Sequence, residues 1–230
     1  MISAIVPAAG CGARAALNGN KILAPLLDDR SVLFWTLNAL RAADYGTGEL
    51  LEIIVVARAE EFEAIERIWG QCAFSLRHGT VEGGATRQDS VFEGVKKARG
   101  DLVLVHDAAR PCVSGELVSR TVQAAQKTGA ALAALPAIDT VKRADSSQNV
   151  VETLNRSEIW LAQTPQIFRR DLFLAALESA QREGFHGTDC ASIMERAGHE
   201  VALVKGDSNN LKITYAADVE RAATILSSRF

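Results

Sequence analysis

Apolar positions along this chain change period repeatedly. Ile2 to Val6 form a short continuous run that Pro7 breaks, the pattern of a buried strand. Ser31 to Ala43 repeats apolar residues at helical spacing, with Ser31 placed as an N-cap. Glu52 to Ala57 is a β-branched run typical of a buried parallel strand. Glu60 to Trp69 is amphipathic and predicts a helix stopping at Gly70, and Phe74 to His78 carries a weaker strand pattern. A Gly-led loop, Gly83 to Ser90, leads into a helix through about Ala98. Asp101 to Val105 reads as a strand, Gly115 to Thr128 as a helix and Ala130 to Leu135 as a strand.

The second half opens with a polar stretch, Ile138 to Asn155, that carries the β-branched pairs Thr140-Val141 and Val150-Val151. Those pairs predict an ordered hairpin arm rather than a floppy insertion. Ile159 to Phe168 contains a Gln-Thr-Pro-Gln turn. Helices follow over Arg170 to Glu183 and Ala191 to Ala197, a strand over Glu200 to Val204, a short apolar-polar piece over Asn210 to Thr214, and a terminal helix over Ala216 to Ser228. Strands alternating with helices predict an α/β fold, a mostly parallel sheet covered on both faces. Ligands in such sheets bind in the crevice at the C-terminal ends of the strands. No repeat or linker divides the chain, so residues 1–230 are expected to form a single domain with an arm at about 137–156.

Composition narrows the class. The chain has 230 residues, 48% hydrophobic and 23% charged, which suits a globular protein with a substantial core. A net charge of −3 gives no electrostatic reason to expect nucleic acid or an anionic membrane as partner. No apolar run approaches the roughly 18 residues a membrane span requires, and no signal-peptide pattern opens the chain, so a cytoplasmic location is expected. Cys11, Cys72, Cys112 and Cys190 form no CxxC pair. His186 and Cys190 are four apart, but Gly184 and Gly187 favour a loop there over a metal-binding helix face.

The chemistry gathers at loop ends. After Val6 comes Pro7-Ala8-Ala9-Gly10-Cys11-Gly12, then Arg14 and Lys21. Small residues let backbone N–H groups approach an anion, and the two cations neutralise its charge. The dinucleotide pattern G-x-G-x-x-G fails at Ala15, and the Walker pattern fails because Gly19 precedes Asn20. A loop wrapping a nucleoside triphosphate remains. The strand through Leu102 to Val105 delivers His106-Asp107-Ala108-Ala109-Arg110-Pro111. A carboxylate at Asp107 can hold Mg²⁺, and Arg110 suits a phosphate; a helix cap or an Asp107–Arg110 ion pair is the structural alternative.

Taken together, PAAGCGAR with Lys21, GGATRQDSV, VHDAARP, DTVKR, TLNRSEIW, QTPQIF, TDCAS and NNLKIT resemble, in order, the 2-C-methyl-D-erythritol 4-phosphate cytidylyltransferases. The resemblance implies a three-layer, Rossmann-like nucleotidyltransferase fold. It also implies transfer of CMP from CTP to 2-C-methyl-D-erythritol 4-phosphate with release of pyrophosphate, assisted by Mg²⁺. Arg14, Lys21, Arg156 and Lys212 match the family's catalytic cations. Ala8, Ala9, Gly10, Gly12, Gly84, Arg87, Ser90 and Ala108 match its CTP-binding positions. Asp107, also the expected metal ligand, belongs with Arg110, Thr140, Thr164 and Thr188 on the substrate side. The resemblance further implies a homodimer in which Thr140 and Arg156 on the arm serve the neighbouring active site. A cytidylyltransferase for another polyol phosphate, such as ribitol 5-phosphate, shares this pattern, and a non-catalytic nucleotide-binding protein is the alternative from another class. The chain departs from the family at Ile22 and Leu23, where Gln and an aromatic are usual, at Cys190, usually acidic, and between Ala15 and Asn20, which lacks the common Met after the arginine and Pro before the lysine.

Overall fold

The computed structural model describes residues 1–10 and 20–229. Gly12 and Arg14 therefore lie outside the described residues. Strand β1 (Ile2–Pro7) alternates its side chains between two cores, Ala4 and Val6 on one face and Ile5 on the other. A small hairpin, β2 (Pro25–Leu27) with β3 (Arg30–Ser31), was not legible in the apolar pattern. It turns on Asp28 and Asp29 at φ 51° and 55°, a left-handed conformation that Asp tolerates better than most residues. Helix α1 (Val32–Ala42) starts where expected, with the Ser31 hydroxyl accepting from the Phe34 N–H.

Next come β4 (Leu50–Ala57) and α2 (Phe62–Cys72). Helix α2 passes through Gly70 instead of stopping there, because the burial of Ile65, Ile68 and Trp69 outweighs one poor helix former; it ends on Ala73 at φ 49°. Strand β5 (Arg77–Glu82) begins later than the Phe74–His78 pattern suggested, since pairing to β4 sets Arg77 opposite Glu52. Then follow α3 (Arg87–Lys97), β6 (Leu102–Val105), α4 (Gly115–Thr128) and β7 (Ala130–Pro136). The polar stretch is an ordered antiparallel hairpin of β8 (Lys142–Ala144) and β9 (Val150–Thr153). Strand β10 (Trp160–Arg169) runs straight through the expected Gln-Thr-Pro-Gln turn. The turn signal appears there as a cis Thr164–Pro165 bond and a register shift between Ala162 and Gln166, where Pro165, having no N–H, is tolerated. Helices α5 (Arg170–Arg182) and α6 (Cys190–Arg196), strand β11 (Ala202–Lys205) and helix α7 (Ala216–Ser227) complete the chain. Asn210 to Thr214 forms no strand.

The seven-stranded sheet has the order β11-β7-β10-β6-β1-β4-β5. All neighbours are parallel except β10, which is antiparallel to both β6 and β7. Helices α1, α2, α4 and α7 pack on the face that presents Ala4, Val6, Ile53, Val55 and Leu104. Helices α3, α5 and α6 cover the opposite face, against Ile5, Val56, Val103 and Phe168. Period-2 alternation within nearly all-apolar strands thus builds a three-layer α/β fold. Each fully buried Ile, Leu or Phe stabilises it by roughly 1.5–3 kcal/mol. Among the described residues no helix is long and apolar enough to cross a membrane.

Candidate active site

The C-terminal ends of β1, β5 and β6 open into one cleft of about 520 Å³. Pro7, Ala8, Ala9 and Gly10 form its first wall, continued by Asn20, Lys21 and Ile22. The loop from Gly84 to Arg87 forms the opposite wall, with Ser90 behind it, and Asp107, Ala108 and Ala109 make the floor. Lys212 and Thr214 close the rim.

Backbone pairing shapes both walls. Ala8 N–H donates to the Val56 carbonyl at 2.7 Å, extending the sheet one step past β1. Gly83 N–H donates to Ala57 at 2.9 Å on the other side. Gly84 has no room for a side chain, since a Cβ there would lie 2.3 Å from Asp89 Cβ. Thr86 caps α3 in a reciprocal box with Asp89, which places the start of the helix, Thr86 and Arg87, on the cleft. The Ser90 hydroxyl donates back to the Thr86 carbonyl at 2.9 Å, so toward a ligand it offers only acceptor lone pairs.

Asp107 is the centre of the floor. Its Oδ1 receives Arg87 Nη2 at 3.1 Å, while Oδ2 lies 2.9 Å from Lys212 Nζ and 3.6 Å from Arg110 Nε. Burial alone would raise the carboxyl's pKa, but the charges of Arg87, Lys212 and Arg110 outweigh it and hold the group well below the usual carboxylate range. Arg87 also donates through Nη1 to the Cys190 sulfur at 3.4 Å, so one guanidinium is oriented by two anchors. Burial pushes the Cys190 thiol up, leaving it a neutral partner at pH 7.

A buried relay fixes the floor from beneath. The Arg110 carbonyl can only accept, so His106 Nε2, 3.0 Å away, carries the ring proton. Nδ1 then accepts from the Thr164 hydroxyl at 3.1 Å, and Thr164 Oγ1 in turn accepts the Asp107 backbone N–H at 3.1 Å. Burial pulls the His106 pKa down to about 4, which keeps the ring neutral and this polarity intact. Asn210 completes the frame, donating to the Thr164 carbonyl and accepting Arg110 Nη1 on its own carbonyl, each at 2.7 Å.

Of the residues singled out from sequence, Ala8, Ala9, Gly10, Lys21, Gly84, Arg87, Ser90, Asp107, Ala108 and Lys212 all line this cleft. Arg110 and Thr164 are buried behind its floor and act on it through Asp107 and Asn210. Thr188 is exposed beside the α6 cap and does not line the cleft. Thr140 is exposed on the arm, and Arg156 at its base donates to the Ile138 carbonyl at 2.6 Å, so neither lines the cleft of its own chain. Asn20, Thr86, Ala109 and Thr214 also line the cleft, beside the residues to which the sequence assigns its chemistry. Only Thr86 left a trace, the T-x-x-D spacing of a capping box.

Sequence comparison decides what kind of cleft this is. The model of the IspD family, 2-C-methyl-D-erythritol 4-phosphate cytidylyltransferase, matches residues 2–228. The chain belongs to this family. A relative from Acidobacterium capsulatum, named 2-C-methyl-D-erythritol 4-phosphate cytidylyltransferase, is 37% identical over 235 residues, covering 98% of this chain and 97% of its own. One of the same name from Shouchella clausii is 39% identical over 228 residues, covering 99% and 97%. A crystal structure of 4-diphosphocytidyl-2C-methyl-D-erythritol synthase from Anaerococcus prevotii superposes with a TM-score of 0.83 at 33% identity, covering 98% of both chains. The family's departures in this chain acquire physical sense. Ile22 is buried in the core below α1, and Cys190 keeps contact with Arg87 through sulfur.

Proposed function

We propose that this protein transfers CMP from CTP to 2-C-methyl-D-erythritol 4-phosphate, releasing pyrophosphate and giving 4-diphosphocytidyl-2-C-methyl-D-erythritol. Membership of the family supports the reaction. The observation that carries it is a cleft floor at Asp107 on which Arg87 and Lys212 converge from the lining and Arg110 from behind, with Lys21 on the facing wall. In the reaction an oxygen of the substrate's 4-phosphate attacks the α-phosphorus of CTP. The bond from that phosphorus to the β-bridging oxygen breaks, and its electrons leave with pyrophosphate. The nucleophile is already an anion, so no base is required. The barrier is repulsion between polyanions and charge building on the α-phosphate oxygens, which fixed cations lower.

In this reading Lys21 and Arg14 face the triphosphate. Small residues at Ala8, Ala9, Gly10, Gly12, Gly84 and Ala108 allow backbone contact with the nucleotide, beside Arg87 and Ser90. Lys212 and Asp107 meet the polyol phosphate, held in place by Arg110 and Thr164, with Thr188 at the outer edge. Among the described residues no three His, Cys, Asp or Glu side chains gather to hold a metal. A single carboxylate still fits Mg²⁺, which commonly takes one protein oxygen and completes its shell with phosphate oxygens and water. Asp107 would supply that oxygen, and the ion would neutralise charge on the departing pyrophosphate.

The arm supports assembly. Ile138, Val150, Val151, Trp160 and Leu161 are large apolar side chains exposed on the arm and at its base. A second copy covering them makes a homodimer, and Thr140 and Arg156 then serve the neighbouring cleft. We take residues 1–230 as one domain with this arm, working in the cytoplasm, where CTP is available. Incubation with CTP, Mg²⁺ and either 2-C-methyl-D-erythritol 4-phosphate or ribitol 5-phosphate tests the function. Pyrophosphate release with the first is expected. Preference for ribitol 5-phosphate, or CTP binding without release, would overturn it.

A further inference from the structure

Glu61 is a buried carboxylate that the transfer chemistry leaves unused. It is 4% exposed, in the turn between β4 and α2. Arg58 pairs with its Oε1, which compensates the buried charge. The same oxygen accepts Asn20 Nδ2 at 2.7 Å. Asn20 Nδ2 also donates to the Ala8 carbonyl at 3.1 Å, and Asn20 Oδ1 accepts the Ile22 N–H at 3.3 Å. Both hydrogens of this amide and its oxygen are therefore committed. One side chain ties the end of β1, an anchored carboxylate and the backbone on either side of Lys21. Around it, Leu23 N–H donates to the Asn20 carbonyl at 2.9 Å and Leu33 N–H to the Ile22 carbonyl at 2.8 Å.

We propose that Asn20 and Glu61 form a clasp that sets the backbone of Lys21 and thereby aims its ammonium at the triphosphate. Both are positioning residues for the transfer, and the inference rests on the reading that Lys21 acts there. No other side-chain type of this size provides two donors to carbonyl and carboxylate together with an acceptor for Ile22. Asp would set two carboxylates against each other, and Ala would leave Ala8 and Glu61 each without this donor.

A double-mutant cycle on the full-length protein tests it. Asn20→Ala and Glu61→Ala are each expected to lower kcat about ten- to a hundredfold, as a misplaced cation would, with the KM for CTP changed less than about threefold. The double variant should lose no more than the worse single, because the pair acts as a unit. Asn20→Asp should be poorer than Asn20→Ala, and adding Glu61→Gln should restore part of the loss by exchanging donor and acceptor. Amide exchange, read without turnover, should quicken at Ile22 and Leu23 in both alanine variants while Ile5 and Val6 stay slow. Additive losses, a raised KM at unchanged kcat, or unaltered exchange would overturn the clasp. If Lys21→Ala turns over like wild type while exchange quickens as stated, the clasp stands as a backbone anchor and the assigned role of Lys21 falls instead.

Discussion

The ammonium of Lys212 lies 2.9 Å from Oδ2 of Asp107, so a cation on the rim of the cleft is already held by the carboxylate on its floor. Arg87 Nη2 donates to Oδ1 of Asp107 at 3.1 Å, and Arg110 Nε lies 3.6 Å from Oδ2, an ion pair without a hydrogen bond. Asp107→Asn should leave these cations in place but less neutralised. Without Mg²⁺, CTP and pyrophosphate should bind as tightly as before or tighter, while kcat with Mg²⁺ falls on the order of a hundredfold. Calorimetric binding beside steady-state kinetics separates the two effects. Stability should drop by about 2 kcal/mol, less than for a fully buried pair, because Arg87 and Lys212 are 34% and 43% exposed. The lowered carboxyl pKa of Asp107 contributes stability above the ordinary carboxylate range of about 4, lost as pH falls below it.

The cations themselves carry the second prediction. Lys21→Ala, Lys212→Ala and Arg14→Ala should each lower turnover about a hundredfold, or roughly 3 kcal/mol of transition-state stabilisation, without changing the circular dichroism spectrum. Near-normal rates would remove the residue concerned from the mechanism.

His106 gives a pH signature. Its folded pKa is about 4, against about 6.5 in an unfolded chain, so the unfolded state takes up the proton first on acidification. Its contribution is complete above pH ~6.5 and declines as pH falls to ~4, by roughly 3 kcal/mol at most. His106→Gln keeps a donor for the Arg110 carbonyl but cannot titrate. Urea unfolding of this variant should lose stability less steeply across that window than wild type. A parallel profile would contradict the buried neutral imidazole.

Exposed apolar residues on the arm predict a dimer that a charge can break. Ile138, 82% exposed, and Val150, 63% exposed, are suitable positions. Ile138→Asp with Val150→Asp should sediment as a monomer with an intact fold and little activity, because Thr140 and Arg156 do not line the cleft of their own chain. A fully active monomer would remove the arm from catalysis.

The fold was legible because β1, β4, β6 and β7 are nearly unbroken apolar runs and α1, α4 and α7 follow helical spacing closely. Helix α2 running through Gly70 and β10 running through Gln163 to Gln166 share one cause, tertiary packing that overrides a local breaker. The cleft walls were legible as loops after strands. The support beneath them was not. Nothing local joins His106 to Thr164, Arg110 to Asn210 or Asn20 to Glu61, and only the sheet order brings those partners together. Asn20 stands before Lys21 where the family commonly has Pro, and what read as a departure proves to be a fully hydrogen-bonded anchor.

The most direct measurement uses 2-C-methyl-D-erythritol 4-phosphate labelled with ¹⁸O in its phosphate, incubated with unlabelled CTP, Mg²⁺ and the wild-type protein, with products read by ³¹P resonance and mass. Attack of that phosphate on the α-phosphorus predicts a diphosphate product that retains all of the label and pyrophosphate that contains none. Labelled pyrophosphate, label lost to orthophosphate, or no cytidylylated product would contradict it.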